Sequence, residues 1–159
     1  MNTRTLAAIL LLLVVVVPLT AFAQPPDRIR VNLDVRSGGR PDRDATAARL
    51  LTEVQRGLEA VADVEIGSRD DSRRVVWIVV GAAPGSAASV IVTERYDRET
   101  LMVLGIEDDD MAHRMMALQI VIDHQIFTGG TPTQLAKRIV TALDTGVFAR
   151  LRAVAKQKP

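Results

Sequence analysis

Two histidines, His113 and His124, are the only side chains in this chain that ordinarily titrate near neutral pH, and each has acidic neighbours in sequence. Asp123 directly precedes His124, and Gly129-Gly130 and Thr131-Pro132-Thr133-Gln134 follow. Two chemistries suit such a grouping: a carboxylate-oriented histidine working as acid or base, and a glycine turn whose free amides hold an anion at a helix start. The first conflicts with local geometry. Ile120, Ile122, His124 and Ile126 alternate as a strand does, and neighbours on a strand face opposite sides. Asp123 therefore cannot orient His124, which is expected to point with Ile122 and Ile126 towards the core or its rim. The second conflicts with the residues that follow. Thr131, Pro132 and Gln134 make a capping box with proline at the first helical position, and no lysine stands where a phosphate loop would place one. The stretch reads as a strand-to-helix joint.

His113 follows Glu107, Asp108, Asp109 and Asp110. On a helix Asp109 and His113 are four residues apart and face the same way, a spacing that can offer two ligands to a metal. A third and fourth ligand are missing, and EDDDMAHRMM lacks the alternating oxygens and the bend glycine of a calcium loop. An acidic helix start explains the cluster more simply. Ser86 and Ser89 lie in or beside a strand, without a G-x-S-x-G turn and with no histidine nearby in sequence. The reading thus assigns no catalytic, cofactor-binding or metal-ligating residue, and no cofactor. Trp77 is expected in the core.

The elements that carry these residues begin after a targeting segment. Met1 to Thr5 carries Arg4, residues 6–17 (LAAILLLLVVVV) are continuously apolar, Pro18 breaks the run, and Ala21-Phe22-Ala23 has the small-x-small form of a signal-peptidase site. Cleavage after Ala23 leaves residues 24–159, exported to the periplasm or medium, with the membrane touched only through the signal segment. The competing reading is a retained anchor, since residues 6–23 approach the lower limit of a spanning helix. The chain has no cysteine, which excludes disulfides, thiol chemistry and a lipid-modified cysteine. Without Arg4 the charges balance, 19 basic against 19 acidic, and aromatics make up only 3% of residues. A neutral, aromatic-poor chain has neither the field nor the stacking surfaces for nucleic acid.

After a flexible leader at 24–27, residues 28–35 (RIRVNLDV) alternate strictly, with Ile29, Val31, Leu33 and Val35 on the buried face. Ser37-Gly38-Gly39-Arg40-Pro41 breaks the strand, and Asp42 or Asp44 can cap a helix over 44–62, in which Ala47, Leu50, Leu51, Val54, Leu58 and Val61 form the apolar side. A short strand at 64–66 follows. Residues 75–80 (VVWIVV) are apolar on both faces, as in a central strand covered on each side. The turn Gly81-Ala82-Ala83-Pro84-Gly85 pairs them with residues 87–95 in an antiparallel hairpin, with Ala88, Val90 and Val92 on one face. Met111, Met115, Leu118 and Ile122 recur at helical spacing, so a helix to about 118 and a strand over 120–127 are expected. Leu135, Ile139, Leu143, Val147 and Leu151 then stripe a C-terminal helix, and residues 154–159 form a basic tail.

These elements predict a single α+β domain over 28–153. It is a two-layer sandwich of a mostly antiparallel sheet of four to five strands, with two main helices on one face, in the order β-α-β-β-β-(α)-β-α. Over residues 28–95 the pattern resembles that of small exported α/β modules such as the amino-terminal domain of the periplasmic propeller protein of the Tol system. The resemblance lies in the order of elements and involves no specific motif, so it implies a fold and leaves function open. Without a catalytic constellation, the function expected is a non-catalytic binding or assembly module of the cell envelope, with another envelope protein as partner. The alternative is a small hydrolase or metal-dependent enzyme whose site assembles from residues distant in sequence. The firmest expectation is export: amino-terminal sequencing of protein from the periplasm or medium should begin at Gln24, and a retained Met1 in purified membranes would contradict it.

Overall fold

The computed structural model describes residues 28–37, 41–81 and 87–157. The signal segment, the leader, the turns at 38–40 and 82–86 with Ser86, the side chains of Asp42 and Asp44, and the end of the tail lie outside the described residues. The expected α+β architecture is present. Strand β1 (Ile29–Ser37) leads into helix α1 (Pro41–Glu59), then β2 (Val64–Ile66), β3 (Arg74–Val80) and β4 (Ala87–Glu94). Two short helices follow, α2 (Arg98–Val103) and α3 (Asp109–Ala117), before β5 (Ile120–Thr128). The chain closes with α4 (Pro132–Ala142), a π-helical turn (Leu143–Phe148) and α5 (Ala149–Ala155).

The five strands form one sheet in the order β2-β1-β3-β4-β5. β1 pairs in parallel with both β2 and β3, whereas β3–β4 and β4–β5 are antiparallel. The sheet is thus mixed, and its antiparallel character lies in the β3-β4-β5 meander. Parallel neighbours need a crossover, and α1 supplies the one from β1 to β2.

The alternation in β1 decides which face is covered. Ile29 and Val31 are buried and Leu33 and Val35 pack against the core, as the sequence predicts. They meet Leu50, Val54 and Leu58 of α1, all fully buried, while Leu135 and Ile139 of α4 are buried in the same core over β4 and β5. Val76, Ile78 and Val80 of β3 and Ala88, Val90 and Val92 of β4 complete this layer. The two main helices also pack against each other, closely enough that a Cβ on Gly57 would sit 2.7 Å from Cγ2 of Val140. A side chain at this position would force Val140 to move.

Several local details differ from expectation. Helix α1 ends at Glu59, three residues early, because residues 60–63 turn; the Val64 N–H bonds to the Val61 carbonyl at 3.0 Å while Val61 still packs on the core. Helix α2 is not anticipated, although Asp97 caps it by accepting from the Thr100 N–H at 2.7 Å. On α3 the buried residue is Ala112, while Met111 is 51% exposed, so the methionine stripe is not a core stripe. The C-terminal helix passes through a π-helical turn, which lets consecutive residues Val147 and Phe148 both reach the core. Thr131 and Gln134 form the expected capping box before Pro132, and Gly129 and Gly130 adopt φ of 77° and 91°, values that side chains rarely tolerate.

One ion pair fastens the last helix to the turn before β2. Arg152 donates to both oxygens of Asp63, at 2.6 and 2.7 Å, and also reaches Asp144 at 2.7 Å. The Arg152 guanidinium holds the Asp63 carboxyl below the usual carboxylate range. A depressed folded-state value means this stabilisation is fully present above the unfolded value of about 3.9 and is lost as pH falls through the folded value. The gap in melting temperature between the protein and Asp63→Asn should be open at neutral pH and close as the pH falls below about 4. A gap that stays constant into acid would mean that the pair contributes through packing alone.

Candidate functional site

The strand registers place the side chains of the uncovered sheet face in rows. Arg36, Val79, Ser89 and Ile126 make one row across β1, β3, β4 and β5; Asp34, Trp77, Ile91 and His124 make the next; Asn32, Val75, Thr93 and Val121 the third. The last row lies at the sheet end where the segment carrying α2 and α3 leaves β4 and returns to β5, and Val75 and Thr93 are buried there. The other two rows are more open. Ile126 is 71% exposed and Val79 38%.

Trp77 lies on this face and not in the main core. Arg36 and Arg69 lie against its ring, at 4.7 and 5.2 Å from the centroid. Two hydrogen bonds of 3.2 and 2.9 Å hold Arg36 to Asp34 beside it. The indole N–H donates to the Thr93 hydroxyl at 3.0 Å. The expectation of a core tryptophan fails because β3 is apolar on both faces while helices cover only one. Val76, Ile78 and Val80 meet the helices, and parity sends Trp77 to the other side. Guanidinium groups take the place of a covering helix, each such contact contributing roughly 0.5–1 kcal/mol at an exposed site.

His124 is also reversed relative to expectation. Asp123 is opposite Val92 on the helix face, where Arg150 and Gln125 bond to it at 3.1 and 2.7 Å. His124 is exposed on the open face. The cause is a register shift between Val92 and Thr93, which leaves Ile122 as the extra residue. A bulge of this kind changes the parity of everything beyond it. Ile122 still packs against the core, but His124 and Ile126 do not follow it. The conclusion that Asp123 and His124 point apart holds.

The fold does bring His124 to a serine 35 residues away in sequence. The Ser89 hydroxyl and His124 Nε2 are 2.9 Å apart. Sequence reading missed this pair, since nothing short of the β4–β5 register relates the two positions. A hydroxyl against an imidazole is the beginning of a nucleophile–base arrangement. No other described residue bonds to His124, so a third, orienting group is missing among them.

The acidic cluster resolves into separate local roles. Asp108 caps α3 by accepting from the Met111 N–H at 2.7 Å, and Asp109 pairs with Arg98 at 2.6 Å. His113 is exposed and does not join them, and no group of metal-ligating side chains occurs among the described residues.

Shallow concavities lie elsewhere among the described residues. One, of about 340 Å³, runs between α1 and α4 beside Gly57 and Val140. Another, of about 310 Å³, lies by Arg73, Arg95 and Tyr96. Its cations are already engaged: Arg73 with Glu94 and Asp97, and Arg95 with the carbonyls of Arg69 and Ser72.

No protein-family model and no curated protein matches the chain. Among solved structures it is similar to a point variant of PelC from Paraburkholderia phytofirmans, described as a dodecamer, with a TM-score of 0.39 and 12% identity over 74% of this chain and 87% of that one. A second PelC dodecamer structure from the same organism gives 0.31 and 13% over the same shares.

The assignment of Trp77 is checked by quenching. Acrylamide should quench its native fluorescence, and Arg36→Ala should increase that quenching without unfolding the protein. Emission inaccessible to acrylamide in both proteins would return Trp77 to the core.

Proposed function

We propose that this protein is an exported, non-catalytic binding module of the cell envelope, and that its open sheet face receives another envelope protein. The observation that carries this reading is the one-sided coverage of the sheet. Two helices bury the face of Val76, Ile78 and Val90, while on the other face Val79, next to Trp77 on β3, and Ile126, beyond Ser89 on β5, remain exposed. Exposed apolar side chains grouped on one face and rimmed by polar ones mark interaction surfaces. Tryptophan and arginine are enriched at protein interfaces, whereas lysine, aspartate and serine are depleted. The rows hold Trp77 and Arg36 and no lysine, with Asp34 and Ser89 as their depleted types. Export rests on the amino-terminal segment of the sequence.

Photo-cross-linking in the native host tests this. A photoreactive residue in place of Val79 or Ile126 should capture one discrete envelope protein. The same residue in place of Arg49, on the solvent side of α1, should not. Equal labelling from all three positions would remove the face as a binding site.

A hydrolase built on Ser89 and His124 is the second reading, favoured by their 2.9 Å contact. It requires that Ser89→Ala abolish hydrolysis of an activated ester by the purified protein. A rate unchanged by that substitution would eliminate it.

A further inference from the structure

The sheet has two edges, and they differ. β2 exposes three residues, too few to template a partner strand, whereas β5 runs for nine and has no strand on its outer side among the described residues. Proteins blunt long edges with proline, charged side chains (inward-pointing ones included), bulges or a covering element, and the inward charge here, Asp123, is neutralised by Arg150. β5 has no proline or lysine, and its bulge, at Ile122, leaves residues 123–128 regular.

Hydrogen-bond parity identifies which backbone groups face outwards. The Gly81 N–H bonds to the Ala87 carbonyl at 2.8 Å, and the Arg95 N–H to the Arg73 carbonyl at 3.0 Å. Odd-numbered residues of β4 therefore bond to β3, and Ala88, Val90 and Val92 bond to β5 at Phe127, Gln125 and Asp123. His124, Ile126 and Thr128 consequently aim their N–H and C=O groups away from the sheet. The Thr128 carbonyl agrees, accepting from the Arg138 side chain at 2.9 Å. His124 and Ile126 have no such partner among the described residues.

We propose that this edge pairs with the same edge of a second copy, antiparallel, to make one continuous sheet across a two-fold axis. An antiparallel strand pair is its own two-fold, so an edge with outward groups at every second residue is complementary to itself. With Gln125 at the axis, His124 of each copy exchanges two hydrogen bonds with Ile126 of the other. Charge permits the approach. The regular stretch carries one carboxylate, Asp123, already paired with Arg150 on the helix face, and the whole chain has a formal net charge of +1. Pairing also places Ile126 against its neighbour's open face and joins the two faces into one surface. This inference concerns the edge and stands whether or not a different protein binds the face.

The test uses proline, which deletes an N–H and is tolerated where that N–H points off a sheet edge. Sedimentation of the purified protein, in the form its host produces, should show a concentration-dependent dimer. Ile126→Pro should weaken it by about tenfold or more, since two N–H donors are lost per dimer. Ile126→Thr, which keeps the N–H and changes the side chain, should dimerise far better than Ile126→Pro. A chain free of cysteine allows a second, independent readout in cells. Gln125→Cys should form a disulfide-linked dimer on oxidation, and Arg49→Cys should not. A monomer at all concentrations, an Ile126→Pro variant that folds and dimerises normally, or absence of the Gln125→Cys cross-link would each overturn the proposal. Loss of face cross-links to another protein with dimerisation intact would instead count against the binding face alone.

Discussion

The packing of α1 against α4 over a single face of the sheet is the constraint on which the other features depend. Leu50, Val54 and Leu58 from one helix and Leu135 and Ile139 from the other are fully buried, and Gly57 lets the helices close on each other beside Val140. Burying a side chain of this size contributes roughly 1.5–3 kcal/mol. No disulfide supplements it. Once this layer is closed, every strand residue is committed by parity to an inside or an outside. The outside residues then have to be stabilised by whatever the chain can spare, which over Trp77 is the side chains of Arg36 and Arg69.

Much of this was legible from period alone. The strict alternation of β1, the stripe of α1, the β3–β4 hairpin and the capping box at Thr131 are local patterns, and each appears where its period places it. What escaped the sequence was relational. A one-residue bulge at Ile122 has no signature in the string IVIDHQIFT, yet it reverses the facing of His124 and Asp123. The Ser89–His124 contact exists only through the register of two strands. The fold class could thus be read in advance, while the residues that share the open face could not.

Trp77 illustrates the same limit from the other side. An apolar run such as VVWIVV is the expected sequence of a strand covered twice, and here it is covered fully on one face and only in part on the other. Its indole keeps a satisfied N–H through Thr93 and a polar roof of Arg36 and Arg69. A tryptophan in that setting combines a large apolar surface with retained access to water, which a core position would deny it.

The central place of β1 has a consequence for the order of events as the chain is made. Both of its neighbours lie downstream, β2 beginning at Val64 and β3 at Arg74, so β1 leaves the ribosome with neither edge paired. An unpaired apolar strand is the kind of segment that aggregates while it waits. Arg30, Asn32, Asp34 and Arg36 interleave with its four core residues and interrupt any continuous apolar surface. The same alternation that builds the sandwich therefore acts earlier as a solubility device, protecting the strand through the synthesis of nearly forty residues.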